Sequence, residues 1–232
     1  MAPDTNAALA MLSAFASVGV TAFDVTLTDL AGEKTGYRPG RSLEALKQIM
    51  PPLLQEAAGK KQNVIIRPHK TGTAELVQLD DLNEEAAAKI APYSFMVLAT
   101  SPGNFQAWVA VREAPQDFAR RLRKGAGADP TASGATRVSG SLNFKTKYAP
   151  AFPRVEITRT NAGNVTSSAE LDHRGFVARA EEPQPPRIRV SKPSDGRVRW
   201  PSYHRCIQGA PKAHGDDRPD VSRADFTWAR TA

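Results

Sequence analysis

Apolar and polar side chains alternate over Phe23-Asp24-Val25-Thr26-Leu27-Thr28, which sets Phe23, Val25 and Leu27 on one face of a half-buried strand. Residues 7–16 are dense in Ala, Leu and Met, with Leu9, Leu12 and Ala16 at helical spacing, and predict an N-terminal helix. Gly32, Gly36, Pro39 and Gly40 read as a turn leading to Ser42, an N-cap with Ala45 at the capping-box position. Leu43, Leu46, Met50, Leu53 and Leu54 give the next helix its apolar stripe. Pro51 and Pro52 lack the N–H that a helix interior uses, so the helix is expected to break or restart there.

Short strands follow over 64–67 and 75–79, with residues 69–72 as the turn of a hairpin, then a short helix over 83–90. Two more strands, 94–100 and 105–111, flank Ser101-Pro-Gly-Asn104, a run of residues suited to a turn. Pro115 opens a helix through Arg123 that stops at Gly125. Beyond it lie a loop rich in Gly, Ala, Ser and Thr up to Pro153, a strand over 154–158 and a helix near 167–174. The sum predicts an α+β fold: a mostly antiparallel sheet with flanking helices. Pro183, Pro185 and Pro186 mark a linker, dividing the chain into a domain over 1–182 and a basic, loosely packed arm over 183–232.

Composition narrows the setting. The chain has 232 residues, of which 41% are hydrophobic and 24% charged, as for a soluble globular protein. Its most apolar stretch, 7–23, is interrupted by Ser13, Ser17, Gly19 and Thr21, and only Asp4 stands before it. Neither a membrane span nor a basic signal-peptide region is expected, and the chain is assigned to the cytoplasm. Cys206 stands alone, excluding an intrachain disulfide and a Cys-rich zinc site. His69, His173, His204 and His214 are dispersed without ligand spacing. Charge is uneven: residues 1–111 hold 9 basic and 11 acidic side chains, residues 112–232 hold 22 and 13, and the net is +7. A basic second half points to a polyanionic partner such as nucleic acid or nucleotide phosphates.

Three motifs carry candidate chemistry. Leu79-Asp80-Asp81-Leu82 places two carboxylates at a strand end, where hard cations such as Mg²⁺ or Mn²⁺ find oxygen ligands. Neighbours on a regular strand face opposite ways, so both reach one ion only if the strand ends or bulges. Otherwise the pair simply starts the next helix, with Asp81 or Asn83 as cap. Ser101-Pro-Gly103-Asn104-Phe-Gln106-Ala-Trp108 combines a turn open to close approach with polar groups, Trp108 being expected in the core. Asp129, followed by Arg137 and Gly140-Ser-Leu-Asn143-Phe-Lys145-Thr-Lys147, adds one carboxylate and three cations spaced to reach a triphosphate. There is no phosphate-binding G-x-x-x-x-G-K-[ST] loop and no G-x-S-x-G elbow.

Taken in this order, the motifs resemble the archaeo-eukaryotic-type primase superfamily, and within it the RepB-like plasmid and phage replication primases. The likeness runs from about Phe23 to Trp228 and includes Ile66-Arg67-Pro68, Phe152-Pro153-Arg154-Val155 and Ser202-Tyr203-His204-Arg205-Cys206. It implies a primase-type, RRM-like catalytic core in which Asp80, Asp81 and Asp129 are catalytic and hold the divalent metals, Mg²⁺ or Mn²⁺. Ser101, Asn104 and Gln106 would line the nucleotide pocket, with Arg137, Asn143 and Lys145 on the phosphates. The implied activity is two-metal nucleotidyl transfer from nucleoside triphosphates, making primers on a single-stranded DNA template for a plasmid, phage or mobile element, beside a separate replicative helicase and away from membranes. The wider superfamily usually has Ser-x-His and D-x-D, whereas here Gly103 takes the histidine position and the aspartates are adjacent. The alternative is a catalytically inactive single-strand DNA-binding or replication-initiator module, with bases stacked on Trp108, Trp200 or Tyr203.

Overall fold

Two sheets carry the chain, and the strands that the sequence reads as one hairpin are divided between them. The structure, a computed structural model, describes residues 2–69 and 72–180. The expected linker and basic arm, with Trp200, Tyr203, His204 and His214, lie outside the described residues. In chain order the elements are α1 (Thr5–Ala16), β1 (Ala22–Thr28), β2 (Lys34–Ser42), α2 (Leu43–Gly59), β3 (Asn63–Pro68), β4 (Glu75–Leu82), α3 (Glu84–Ile90), β5 (Met96–Ser101), β6 (Asn104–Arg112), α4 (Phe118–Gly125), β7 (Thr136–Arg137), β8 (Glu156–Thr160), β9 (Val165–Ser167) and α5 (Ser168–His173).

The first sheet has the order β2-β1-β3-β7 and the second β4-β6-β5-β8, with β9 joining β6 in parallel; every other pair is antiparallel. The fold is thus α+β, as expected, but the 64–67 and 75–79 strands do not pair. With β1 on one side and β7 on the other, β3 has no edge left for β4, which pairs with β6 instead. Residues 34–42 form a strand where a turn was expected. Lying at an edge with most of its side chains exposed, β2 shows no apolar alternation and tolerates Gly36, Pro39 and Gly40.

Asp4 caps α1, its Oδ1 accepting from the Ala7 N–H at 3.1 Å, and the buried stripe is Ala8, Met11, Leu12 and Phe15 rather than the Leu9-Leu12-Ala16 set. Ser42 Oγ accepts from the Ala45 N–H at 3.2 Å and starts α2, which runs unbroken through Pro51 and Pro52. Leu46, Met50, Leu53, Leu54 and Ala57 are buried along one side of α2, and that packing carries the helix past the two missing donors.

The second sheet is buried on both faces. One face (Met96, Leu98, Trp108, Ala110) joins α1, α2, β1 and β3 in a core where Trp108 meets Phe15 edge to face at 4.9 Å. The other (Val77, Leu79, Leu82, Ala107, Val109) packs on α3, α4 and α5 through Ile90, Phe118, Leu122 and Leu171. The first sheet buries Phe23, Val25, Val64 and Ile66 and turns Asp24, Thr26, Ile65 and Arg67 the other way. Gly140, at φ +83, sits where a side chain would run into the Asp4 carbonyl, and its own carbonyl accepts from the Asp4 N–H at 2.9 Å. That contact ties the start of α1 to the 137–147 segment. Among the described residues no helix is long and apolar enough to cross a membrane.

Candidate active site

A bulge at the end of β4 makes the acidic pair usable. Leu79 pairs with Ala107 and Leu82 with Phe105, so β4 spends one residue more than β6 over this interval, and Asp81 takes a left-handed φ of 56°. Both leucines therefore stay in the same apolar cluster although they are three apart. Asp80 and Asp81, the residues between them, both line the opposite, open side. Of the two cap candidates, Asn83 starts α3, its side chain accepting from the Ala86 N–H at 2.8 Å, which leaves Asp81 to the cleft.

The β5–β6 hairpin brings the second motif against the first. Asn104 Nδ2 donates to Asp81 Oδ1 at 2.8 Å, and Gln106 Nε2 donates to Asp80 Oδ1 at 3.0 Å. Gln106 is oriented in turn by Trp108, whose Nε1–H donates to Gln106 Oε1 at 3.0 Å, so the core tryptophan fixes which end of the amide faces the carboxylate. Trp108 is only 1% exposed, which rules it out as a platform for bases and corrects that part of the binding-module alternative.

The third motif supplies the far wall. Arg137 on β7 pairs directly with Ile65 on β3, and its Nε–H donates to Asn63 Oδ1 at 3.1 Å. The same oxygen accepts from the Phe144 N–H at 2.8 Å, and Asn143 Nδ2 donates to the Thr100 carbonyl at 2.9 Å. Asp80, Asp81, Ser101, Asn104, Gln106, Arg137, Asn143 and Lys145 thus line one cleft of about 310 Å³, together with Lys147 and Tyr148. Two carboxylates face three cations across a polar floor. Burial pushes the Arg137 pKa below its ordinary value, while the charge of Asp80 and then Tyr148 pulls it back up. For Tyr148, burial acts upward, but hydrogen bonds with Ser101 and Lys147 and the charges of Lys147 and Lys145 prevail and lower it.

Asp129 stands apart from this lining. Its N–H donates to the Asp80 carbonyl at 2.9 Å, while its Oδ1 accepts from the Thr131 hydroxyl at 2.7 Å and the Thr131 N–H at 2.8 Å. Those two bonds, the hydroxyl first, hold its carboxyl below the usual carboxylate value. Among the described residues no group of three or more His, Cys, Asp or Glu is placed to hold a metal ion. The pair Asp80 and Asp81 does suit one hard cation: Mg²⁺ commonly takes one or two carboxylates plus water and substrate phosphate, and the hydrogen bonds among the described residues fall on Oδ1 of each.

Two supports escaped the sequence reading. Asn63, 2% exposed, uses its Nδ2 on Thr28 Oγ1 and the Asp29 carbonyl as well as its Oδ1 on Arg137 and Phe144. Gln78, 1% exposed, donates from Nε2 to the Ala135 carbonyl and accepts the Gly134 N–H, fixing the loop into β7. The available signal was an amide at a strand position otherwise given to apolar side chains, Asn63 before Val64 and Gln78 between Val77 and Leu79.

Residues 30–178, more than half of the chain, match the RepB DNA-primase N-terminal domain family. The chain belongs to that family. The primase RepB' crystal structure superposes with a TM-score of 0.59 at 25% identity, covering 72% of this chain and 62% of that one. The catalytic domain of RepB' in complex with initiator DNA superposes at 0.58, again with 25% identity, over 73% of this chain and 94% of that one. The primase-polymerase domain of cyanophage S-2L, at 14% identity and a TM-score of 0.50 over 75% of this chain and all (100%) of that one, shares the fold. Mobilization protein A of Escherichia coli is 25% identical over 92% of this chain, which spans only 33% of that longer protein.

Proposed function

We propose that the chain is a metal-dependent nucleotidyltransferase that makes short primers on single-stranded DNA for a mobile element. The observation that carries the reading is the cleft in which Asp80 and Asp81, brought to one side by the bulge, face Arg137, Lys145 and Lys147. Family membership supports the activity, the initiator-DNA complex of RepB' supports DNA as template, and the likeness to a mobilization protein supports the mobile-element setting. A separate helicase would supply unwound template.

In this reading Asp80 and Asp81 hold Mg²⁺ or Mn²⁺, which when bound would neutralise triphosphate charge and sharpen the attacking 3′-hydroxyl. Gln106 and Asn104 keep the two carboxylates turned to the cleft through bonds on Oδ1. Arg137 and Lys145 bind the phosphates, where a guanidinium fork and an ammonium meet charge that grows as pyrophosphate leaves. Ser101 and Asn143 line the nucleotide. Asp129 enters one step back: its N–H braces the Asp80 carbonyl, and its ionised carboxylate is the third acid of the proposed set.

The test is nucleotide incorporation on single-stranded template with Mg²⁺ or Mn²⁺. Incorporation by the full chain that disappears in Asp80→Ala and Asp81→Ala is the expected result. No incorporation by the wild-type chain, or full incorporation by both variants, would leave the binding-module alternative standing.

A further inference from the structure

The open face of the first sheet leads into the cleft. Register places Tyr37 of β2 opposite Thr26 of β1, Thr26 opposite Ile65 of β3, and Ile65 opposite Arg137 of β7, so one row of side chains crosses the sheet and ends at a cleft residue. At about 4.8 Å per strand, Tyr37 and Arg137 stand roughly 14 Å apart along this row. A shallow depression of about 190 Å³ on the face is lined by Asp24, Thr26, Lys34, Tyr37, Ile65, Arg67 and Ala135, and it shares Ile65 and Ala135 with the cleft.

The face has the chemistry of a platform for a charged strand with exposed bases. Tyr37 is 50% exposed, and among the described residues only Leu30 is another exposed large hydrophobic side chain. Its ring is fixed: the hydroxyl donates to Asp24 Oδ2 at 3.1 Å, while Asp24 Oδ1 accepts from the Gly40 N–H at 2.8 Å and lies 2.8 Å from His69 Nε2. A ring already ordered costs little further entropy when something stacks on it. Lys34 Nζ lies 4.7 Å from the ring centroid, and exposed Arg67 sits opposite Asp24 in the adjacent row. With Arg137, three cations stand against one carboxylate.

We propose that single-stranded DNA crosses this face along the Tyr37-Thr26-Ile65 row, one base against the Tyr37 ring and phosphates on Lys34 and Arg67, and enters the cleft at Arg137. The proposal rests on the primase reading for the use made of the strand, but not for its binding.

The experiment is a fluorescence-anisotropy titration of a labelled deoxythymidine oligonucleotide onto the full chain, over a range of salt, with nucleotide binding followed separately by a fluorescent ATP analogue in Mg²⁺. Tyr37→Ala should weaken DNA binding by about fivefold or more, the scale of one lost base stack. Tyr37→Phe should stay within about twofold of wild type, since the stacking face remains. Arg67→Gln should make the dependence of log affinity on log salt shallower by about 0.7, as expected for one phosphate contact on a single strand. Nucleotide binding should be unchanged in all three. Wild-type DNA affinity in both Tyr37→Ala and Arg67→Gln, a parallel loss of nucleotide binding, or tighter binding of oligouridine than of oligodeoxythymidine would overturn the proposal. If incorporation proceeds while these variants bind normally, the path fails and the primase reading survives; if the variants lose DNA but wild type incorporates nothing, the reverse holds.

Discussion

Arg137 reaches the cleft with its Nε–H committed to Asn63, 3.1 Å from that amide oxygen, so the guanidinium is aimed by a residue that does not line the cleft itself. Asn63→Ala removes an acceptor for Arg137 and Phe144 and a donor for Thr28 and Asp29 at once. Buried partners left unsatisfied each cost on the order of 1–3 kcal/mol. Urea unfolding should show a loss at least of that size, and the surviving folded enzyme a raised KM for nucleotide.

Arg137→Lys keeps the charge but not the geometry. A lysine has no Nε–H to spend on Asn63 while a separate fork faces phosphate, so nucleotide KM should rise about tenfold with little change in template affinity. Steady-state incorporation and an anisotropy titration on the same preparation check the split; equal losses in both would contradict it.

Asp80→Ala and Asp81→Ala should each lower incorporation by about a hundredfold or more, the scale on which a lost charge-stabilising group is felt. The fall in melting temperature should be small beside that loss, because Asp81 is exposed and Asp80 half-buried, the cost coming from the buried Gln106 amide that loses its acceptor and from Ala at the left-handed φ of Asp81. Calorimetry beside the activity assay separates loss of chemistry from loss of fold.

Gly140→Ala should destabilise the domain strongly. The position combines a left-handed φ of 83° with direct collision against the Asp4 carbonyl, and backbone on both sides of the contact leaves little to give way. Unfolding at lower denaturant is the expected outcome; a midpoint equal to wild type would show that α1 can detach from the 137–147 segment without cost.

Asp24 carries a pH signature. The Gly40 N–H, and then His69 and Tyr37, hold its carboxyl below the usual value of 3.8 against the upward push of burial. A folded-state value below the unfolded one means that stability is gained above the ordinary carboxylate range and lost as pH falls through the lower, folded value. Asp24→Asn should therefore unfold at lower urea than wild type at neutral pH, with the two midpoints converging in acid.

β1 and α2 were legible because each has one dry face: the Phe23-Val25 alternation, the Leu46-Met50-Leu53 stripe and the Ser42 cap all appear where periodicity puts them. β2 was not, because an edge strand wet on both sides has no period to read, and the Pro51-Pro52 break was overridden by packing that local propensity does not contain. The cleft was legible as residue types in order, all of them but Asp129 lining one wall or the other. The pairing of β4 with β6 rather than with β3, and the buried amides of Asn63 and Gln78, depend on which segments become neighbours, which spacing along one chain does not state.

One extra residue in a strand decides how many negative charges the cleft owns. Removing Asp81 would restore the plain ladder, with both leucines still turned inward and a lone acid outward; removing Asp80 as well would carry Leu82 to the wet side of the sheet. The surplus residue is thus what lets a chain keep both its dry interior and its doubled charge, so length between the two leucines, more than the identity of the acids, is what a shortened relative would have to preserve.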